Sequence, residues 1–144
     1  MTPTNFSKTN HTHNKGWSKD LFTDLAVVVQ GSTKTLYLSG VGSEDPEATD
    51  ASTVRILGEG DFAEQTRIAF AKIVAVLAEH GATLNDVVRM TAYVTDSANI
   101  WTYFAVQGEA LGDAPRPPHT FLQVAALAVP QMLVEVEVTA VIPA

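Results

Sequence analysis

The side chains best suited to chemistry lie in two runs near the end of the sequence, His119-Thr120-Phe121-Leu122-Gln123-Val124 and Leu133-Val134-Glu135-Val136-Glu137-Val138. Both alternate with period two. In an extended backbone His119, Phe121 and Gln123 share one face, while Glu135 and Glu137 lie opposite Val134, Val136 and Val138. If the runs pair, or meet across a subunit boundary, an imidazole and a carboxylate converge beside an aromatic ring. Such a set can work on a small molecule: the carboxylate orients or deprotonates water, and the imidazole gives a proton to a departing group or binds an oxygen. Each residue also has a plainer role. Glu135 and Glu137 could be the solvent face of an antiparallel strand, which is preferred for Glu137, and His119 could cap a strand end after the stiff Asp113-Ala114-Pro115-Arg116-Pro117-Pro118 hinge.

A second candidate is Ser39-Gly40-Val41-Gly42, at the end of the run Thr35-Leu36-Tyr37-Leu38-Ser39. Its glycines allow a bulge or a close backbone approach, and the Ser39 hydroxyl can serve a ligand or be satisfied locally. His11-Thr12-His13 has two imidazoles but no third ligand nearby in sequence. It is read as solvated tail, with no metal site.

These residues must be positioned by strands and helices. Leu25–Val29 and Thr35–Ser39 flank Gln30-Gly31-Ser32-Thr33-Lys34, which predicts an antiparallel hairpin. The acidic stretch from Ser43 to Asp50 reads as a loop facing water. Asp61 and Glu64 have capping-box spacing, and Phe62, Ala69, Phe70, Ile73 and Leu77 form a helical stripe that Gly81 ends after His80. A strand follows over 86–95, with Val88, Met90, Ala92 and Val94 inward. A second helix is expected from Asp96 or Ser97 through Trp101, Phe104 and Ala105 to Leu111, stopped by Gly112. The order β-β-α-β-α-β-β implies an α+β domain with its helices on one face of a mixed sheet. Residues 1–16 read as a polar N-terminal arm, and 17–144 as a single domain.

Composition narrows the function. The chain has 144 residues, 46% of them hydrophobic and 17% charged, with a net charge of −7. No basic stripe is available to neutralise phosphates, so nucleic acid is not an expected partner. With no cysteine, disulfides, thiolate metal sites and a cysteine nucleophile are excluded. No apolar run approaches the roughly 18 residues of a membrane span, and the first residues lack a signal-peptide core. The expectation is a cytoplasmic protein with no membrane partner.

The segment Ala82-Thr83-Leu84-Asn85-Asp86-Val87-Val88-Arg89-Met90-Thr91-Ala92-Tyr93-Val94-Thr95-Asp96, with the closing run from Pro118 to Val124 and from Leu133 to Ala140, closely resembles the reactive intermediate deaminase family, the YjgF-like Rid proteins. The likeness spans roughly residues 35–141. It implies a chorismate-mutase-like fold, a homotrimer, and a small-molecule pocket in each cleft between subunits. Members of that family hydrolyse small enamines and imines to a carbonyl compound and ammonia, with no cofactor or metal. By the same resemblance, the family's water-positioning glutamate falls on Glu135 and its pocket serine on Ser39, beside Gly40. The arginine that clamps a substrate carboxylate falls on His119, a pocket asparagine on Phe104, and a small pocket residue on Phe121.

Those replacements change what the pocket offers. A guanidinium is permanently charged and bidentate, whereas imidazole is neither. Arg116 would need a three-residue shift to take its place, against the stiffness of Pro117-Pro118. Phe104 and Phe121 narrow the pocket and make it apolar, favouring a neutral or aromatic enamine or imine. Burial would raise the Glu135 pKa and lower that of His119, while their attraction would do the opposite. The alternative function is a non-catalytic trimer that binds a metabolite in the same cleft.

Overall fold

The computed structural model describes residues 5–12, 16–17 and 23–144. Its order is β1 (Ser7–His11), β2 (Ala26–Gln30), β3 (Thr33–Tyr37), α1 (Phe62–Glu79), β4 (Val87–Val94), α2 (Ile100–Leu111), β5 (His119–Gln123) and β6 (Val134–Pro143), with short 3₁₀ turns between. Four strands form a mixed sheet ordered β3-β6-β4-β5. β6 runs antiparallel to both neighbours and β4 runs parallel to β5. Both helices cover one face, so the expected α+β architecture is present.

Helix α1 begins and ends where its residues dictate. The Asp61 carboxylate accepts from Glu64 N–H at 3.0 Å, although Asp61 N–H goes to Gly58 O, so half of the expected capping box forms. Gly81, at φ +74°, takes the left-handed conformation that closes the helix. Phe62, Ala69, Phe70, Ile73 and Leu77 are all buried against the sheet. On α2 the buried stripe is Tyr103, Val106, Gln107 and Leu111. Trp101, expected to pack inward, is 70% exposed, because at about 100° per residue position 101 falls on the side of the helix opposite that stripe.

Three local expectations are corrected. β2 and β3 do not form a hairpin: β2 pairs with β1 in a separate two-stranded ribbon, while β3 pairs with β6. The turn residues between β2 and β3 redirect the chain without pairing the strands they join. The N-terminal arm is not wholly irregular, since Ser7–His11 is the partner strand of that ribbon. His13 lies outside the described residues. In β4 the inward residue at the start is Val87 in place of Val88, because a register shift between Val87 and Arg89 resets the alternation. From Met90 onward the expected phase holds, with Met90, Ala92 and Val94 buried.

Candidate functional site

The sheet separates the two chemical runs. β4 lies between β5 and β6, pairing Met90 with His119 and with Val138, and pairing Tyr93 with Leu122 and with Glu135. Side chains alternate across a strand. His119 and Phe121 therefore point toward the helices, while Glu135 and Glu137 point to the opposite face. Within one protomer the imidazole and the carboxylate do not converge.

Glu135 sits beside the candidate glycine. Leu38 N–H bonds Val138 O, whereas Val41 and Val136 exchange hydrogen bonds at 2.8 and 2.9 Å. The segment after β3 therefore spends one extra residue against β6, a bulge at Ser39-Gly40. Gly40 leaves room for the Glu135 carboxylate: a Cβ would lie 2.3 Å from Glu135 Oε1. Ser39 is exposed and borders a groove of about 490 Å³ along the outer edge of β3, walled by Leu36, Leu38, Val41, Val76 and His80.

The carboxylates on this face are not simply solvated. Burial raises the Glu135 pKa above the ordinary glutamate value, and the charges of Glu44 and Glu137 add to the rise. Tyr93 donates its hydroxyl to Glu137 Oε1 at 2.7 Å. Glu44, which the sequence places in a water-facing loop, is half-buried and paired: Gly42 N–H donates to its carboxylate at 3.1 Å and Lys72 Nζ lies at 3.5 Å. Among the described residues, no three His, Cys, Asp or Glu side chains come together as a metal site.

The other half of the site is an aromatic cluster on the β5 edge. His119 and Phe121 meet Phe104 at ring-centroid distances of 5.4 and 5.9 Å. At its base is Tyr103, fully buried, whose hydroxyl is 2.7 Å from His119 Nε2. Sequence reasoning selected Phe104 and passed over Tyr103. The signal was present in the spacing of Tyr103, Val106, Gln107 and Leu111, which is that of a buried helical stripe.

Burial, and secondarily the charge of Arg89, lower the His119 pKa from 6.5 to about 4. The folded state thus binds this proton more weakly than the unfolded chain does. The group's contribution to stability is full above pH 6.5 and is lost as pH falls through about 4, a total of about 3 kcal/mol by linkage. His119→Gln is expected to flatten that acid-side loss in denaturant titrations run down to about pH 4. A variant curve parallel to wild type would mean that His119 does not set it.

A family model described as Endoribonuclease L-PSP matches residues 22–142. The chain belongs to the YjgF-like Rid family. A RutC family protein of Synechocystis sp. is 31% identical over 96 residues, covering 67% of this chain and 73% of that protein. Among solved structures, a Rid-family protein of unknown function from Yersinia pestis has a TM-score of 0.79 at 29% identity, covering 94% of this chain and 98% of its own. RidA from the Antarctic bacterium Psychrobacter sp. has a TM-score of 0.65 at 28% identity, covering 93% and 99%. As a Rid protein, the chain has the chorismate-mutase-like α+β fold. Among its described residues, no helix is long and apolar enough to cross a membrane.

Proposed function

We propose that this Rid protein is a small-molecule deaminase that hydrolyses enamines or imines to a carbonyl compound and ammonia, in clefts between the subunits of a homotrimer. The observation that carries the proposal is Glu135, held against the Gly40 backbone with its pKa raised above the ordinary glutamate value by burial and by the neighbouring carboxylates. A carboxylate so tuned is a stronger base than an ordinary glutamate and suits general-base work. Glu135 takes a proton from water as the water oxygen bonds to the imine carbon, and returns it to nitrogen. A second transfer through the same carboxylate, from the carbinolamine hydroxyl to nitrogen, lets the C–N bond break and releases ammonia.

Strand order supports a shared cleft. β3 and β5 are opposite edges of the sheet, so Glu135, Ser39 and Gly40 of one copy meet His119, Phe104 and Phe121 only across a boundary between copies. Being neutral at physiological pH, His119 binds or walls the substrate and does not act as an imidazolium acid. The test is ammonia release from freshly generated 2-aminoacrylate and from an uncharged aryl imine, with and without the protein. Acceleration of either supports the deaminase. Acceleration of neither favours the alternative, a metabolite-binding trimer, which the imidazole at position 119 also fits. Ribonuclease activity fits poorly with a net charge of −7.

A further inference from the structure

Tyr103 is fully buried, yet its hydroxyl faces the edge of the candidate cleft through His119. It is 2.7 Å from Nε2 and 3.5 Å from Met90 Sδ. Sulfur is a weak acceptor, so the strong partner is the imidazole. Tyr103 also packs edge-on against His119 and Phe104, at 5.3 and 5.2 Å, and against Phe121 at 5.3 Å.

An imidazolium has two N–H donors and needs two acceptors. Nε2 could give one to the tyrosine oxygen, but Nδ1 is shielded from water and makes no hydrogen bond of good geometry; the nearby Thr120 backbone favours the charged ring less than burial and the Arg89 charge disfavour it. A second buried proton there would be poorly satisfied. Arg89, the charged neighbour, lies on the other sheet face with its guanidinium on Thr120 Oγ1 at 2.5 Å. The wall formed by Phe104, His119 and Phe121 is therefore apolar and uncharged.

We propose that Tyr103 is a positioning residue that fixes His119 as a neutral member of this aromatic wall, so that the cleft accepts a flat uncharged group in preference to a carboxylate. The inference deepens the cleft reading above and rests on it. A carboxylate against this wall would lose water without gaining a counter-charge, whereas an aryl or unsaturated group would stack.

Benzamide and benzoate, matched in shape and different in charge, provide the probes. Titrated into wild-type protein and followed by NMR at Phe104, His119 and Phe121, benzamide is expected to bind about tenfold or more tightly than benzoate. Equal or tighter binding of benzoate overturns the proposal, as does no response from those residues to either probe. In Tyr103→Phe the His119 ring nitrogens are expected to shift and the preference for benzamide to narrow several-fold. An unchanged ring spectrum and an unchanged preference would remove Tyr103 from the role. Should that variant not fold, the wild-type ring decides: a single neutral tautomer near neutral pH is expected, and an imidazolium pattern overturns the proposal. None of these readouts needs turnover. Failure to release ammonia from any imine would therefore defeat the deaminase and leave the uncharged wall standing.

Discussion

Glu135→Ala is expected to lower imine turnover by about 10²- to 10⁴-fold, the range for losing a positioned general base, with little loss of stability. The carboxylate is destabilised where it sits by burial and by the charges of Glu44 and Glu137, so the fold does not depend on it. Gly40→Ala separates position from presence. Its φ lies outside the left-handed region, so alanine suits the backbone, but the new methyl would stand 2.3 Å from Oε1 and 2.9 Å from Cδ of Glu135. The flexible carboxylate yields before the strand does. A displacement near 1 Å can cost about 10²-fold in rate, and that loss is expected with an almost unchanged melting temperature. Initial rates of ammonia release, paired with thermal melts, test both variants. Wild-type turnover in Glu135→Ala would exclude it as the base, and wild-type turnover in Gly40→Ala would mean its placement is not used. Because the base acts when deprotonated, activity should rise with pH through the elevated Glu135 pKa. Glu44→Gln, by removing one neighbouring charge, should move that rise to lower pH.

The largest expected loss of stability is at Gln65. This side chain is completely buried and fixes the approach to β6 with three hydrogen bonds: Nε2 donates to Gly58 O at 3.2 Å and to Gln131 O at 3.1 Å, and Oε1 accepts from Leu133 N–H at 2.9 Å. Leucine nearly keeps the volume and leaves all three backbone groups without that partner. Each orphaned group costs about 1–3 kcal/mol. Because the loop can relax partly, Gln65→Leu is expected to lose on the order of 3 kcal/mol and to melt roughly 10 °C lower. Turnover should drop as well, since Leu133 leads directly into the strand carrying Glu135. A loss below about 1 kcal/mol in urea denaturation would show that water replaces the amide.

What could be read from residues alone was local. Asp61, Gly81 and Gly112 announce helix ends because caps depend on side chains within a few positions. The alternation of β6 announces a strand with one buried face. The bulge at Ser39-Gly40 was legible because glycines mark close approach. Partnership was not legible. The turn after Gln30 looks like a hairpin, yet β2 finds its partner in the polar strand Ser7–His11, which has no hydrophobic alternation to betray it. The shift at Val87 depends on how β4 meets β6. At the candidate site, Glu135, Gly40 and Phe104 could be picked from sequence, while the burial that lowers the His119 pKa and the tyrosine hydroxyl that α2 delivers to its ring, sixteen residues away, arise only from tertiary packing.

The sheet order has a bearing on synthesis. β6 is hydrogen-bonded to β3 on one side and β4 on the other, and Tyr37 waits for Thr139. Until Val134 and its successors leave the ribosome, β3 has no neighbour in the sheet, and β4 has one edge open beside the finished α1 and its apolar stripe. A stalled nascent chain ending before Val134 would therefore present two unsatisfied edges and an uncovered hydrophobic helix face at once, the combination that trigger-type chaperones hold and that otherwise aggregates.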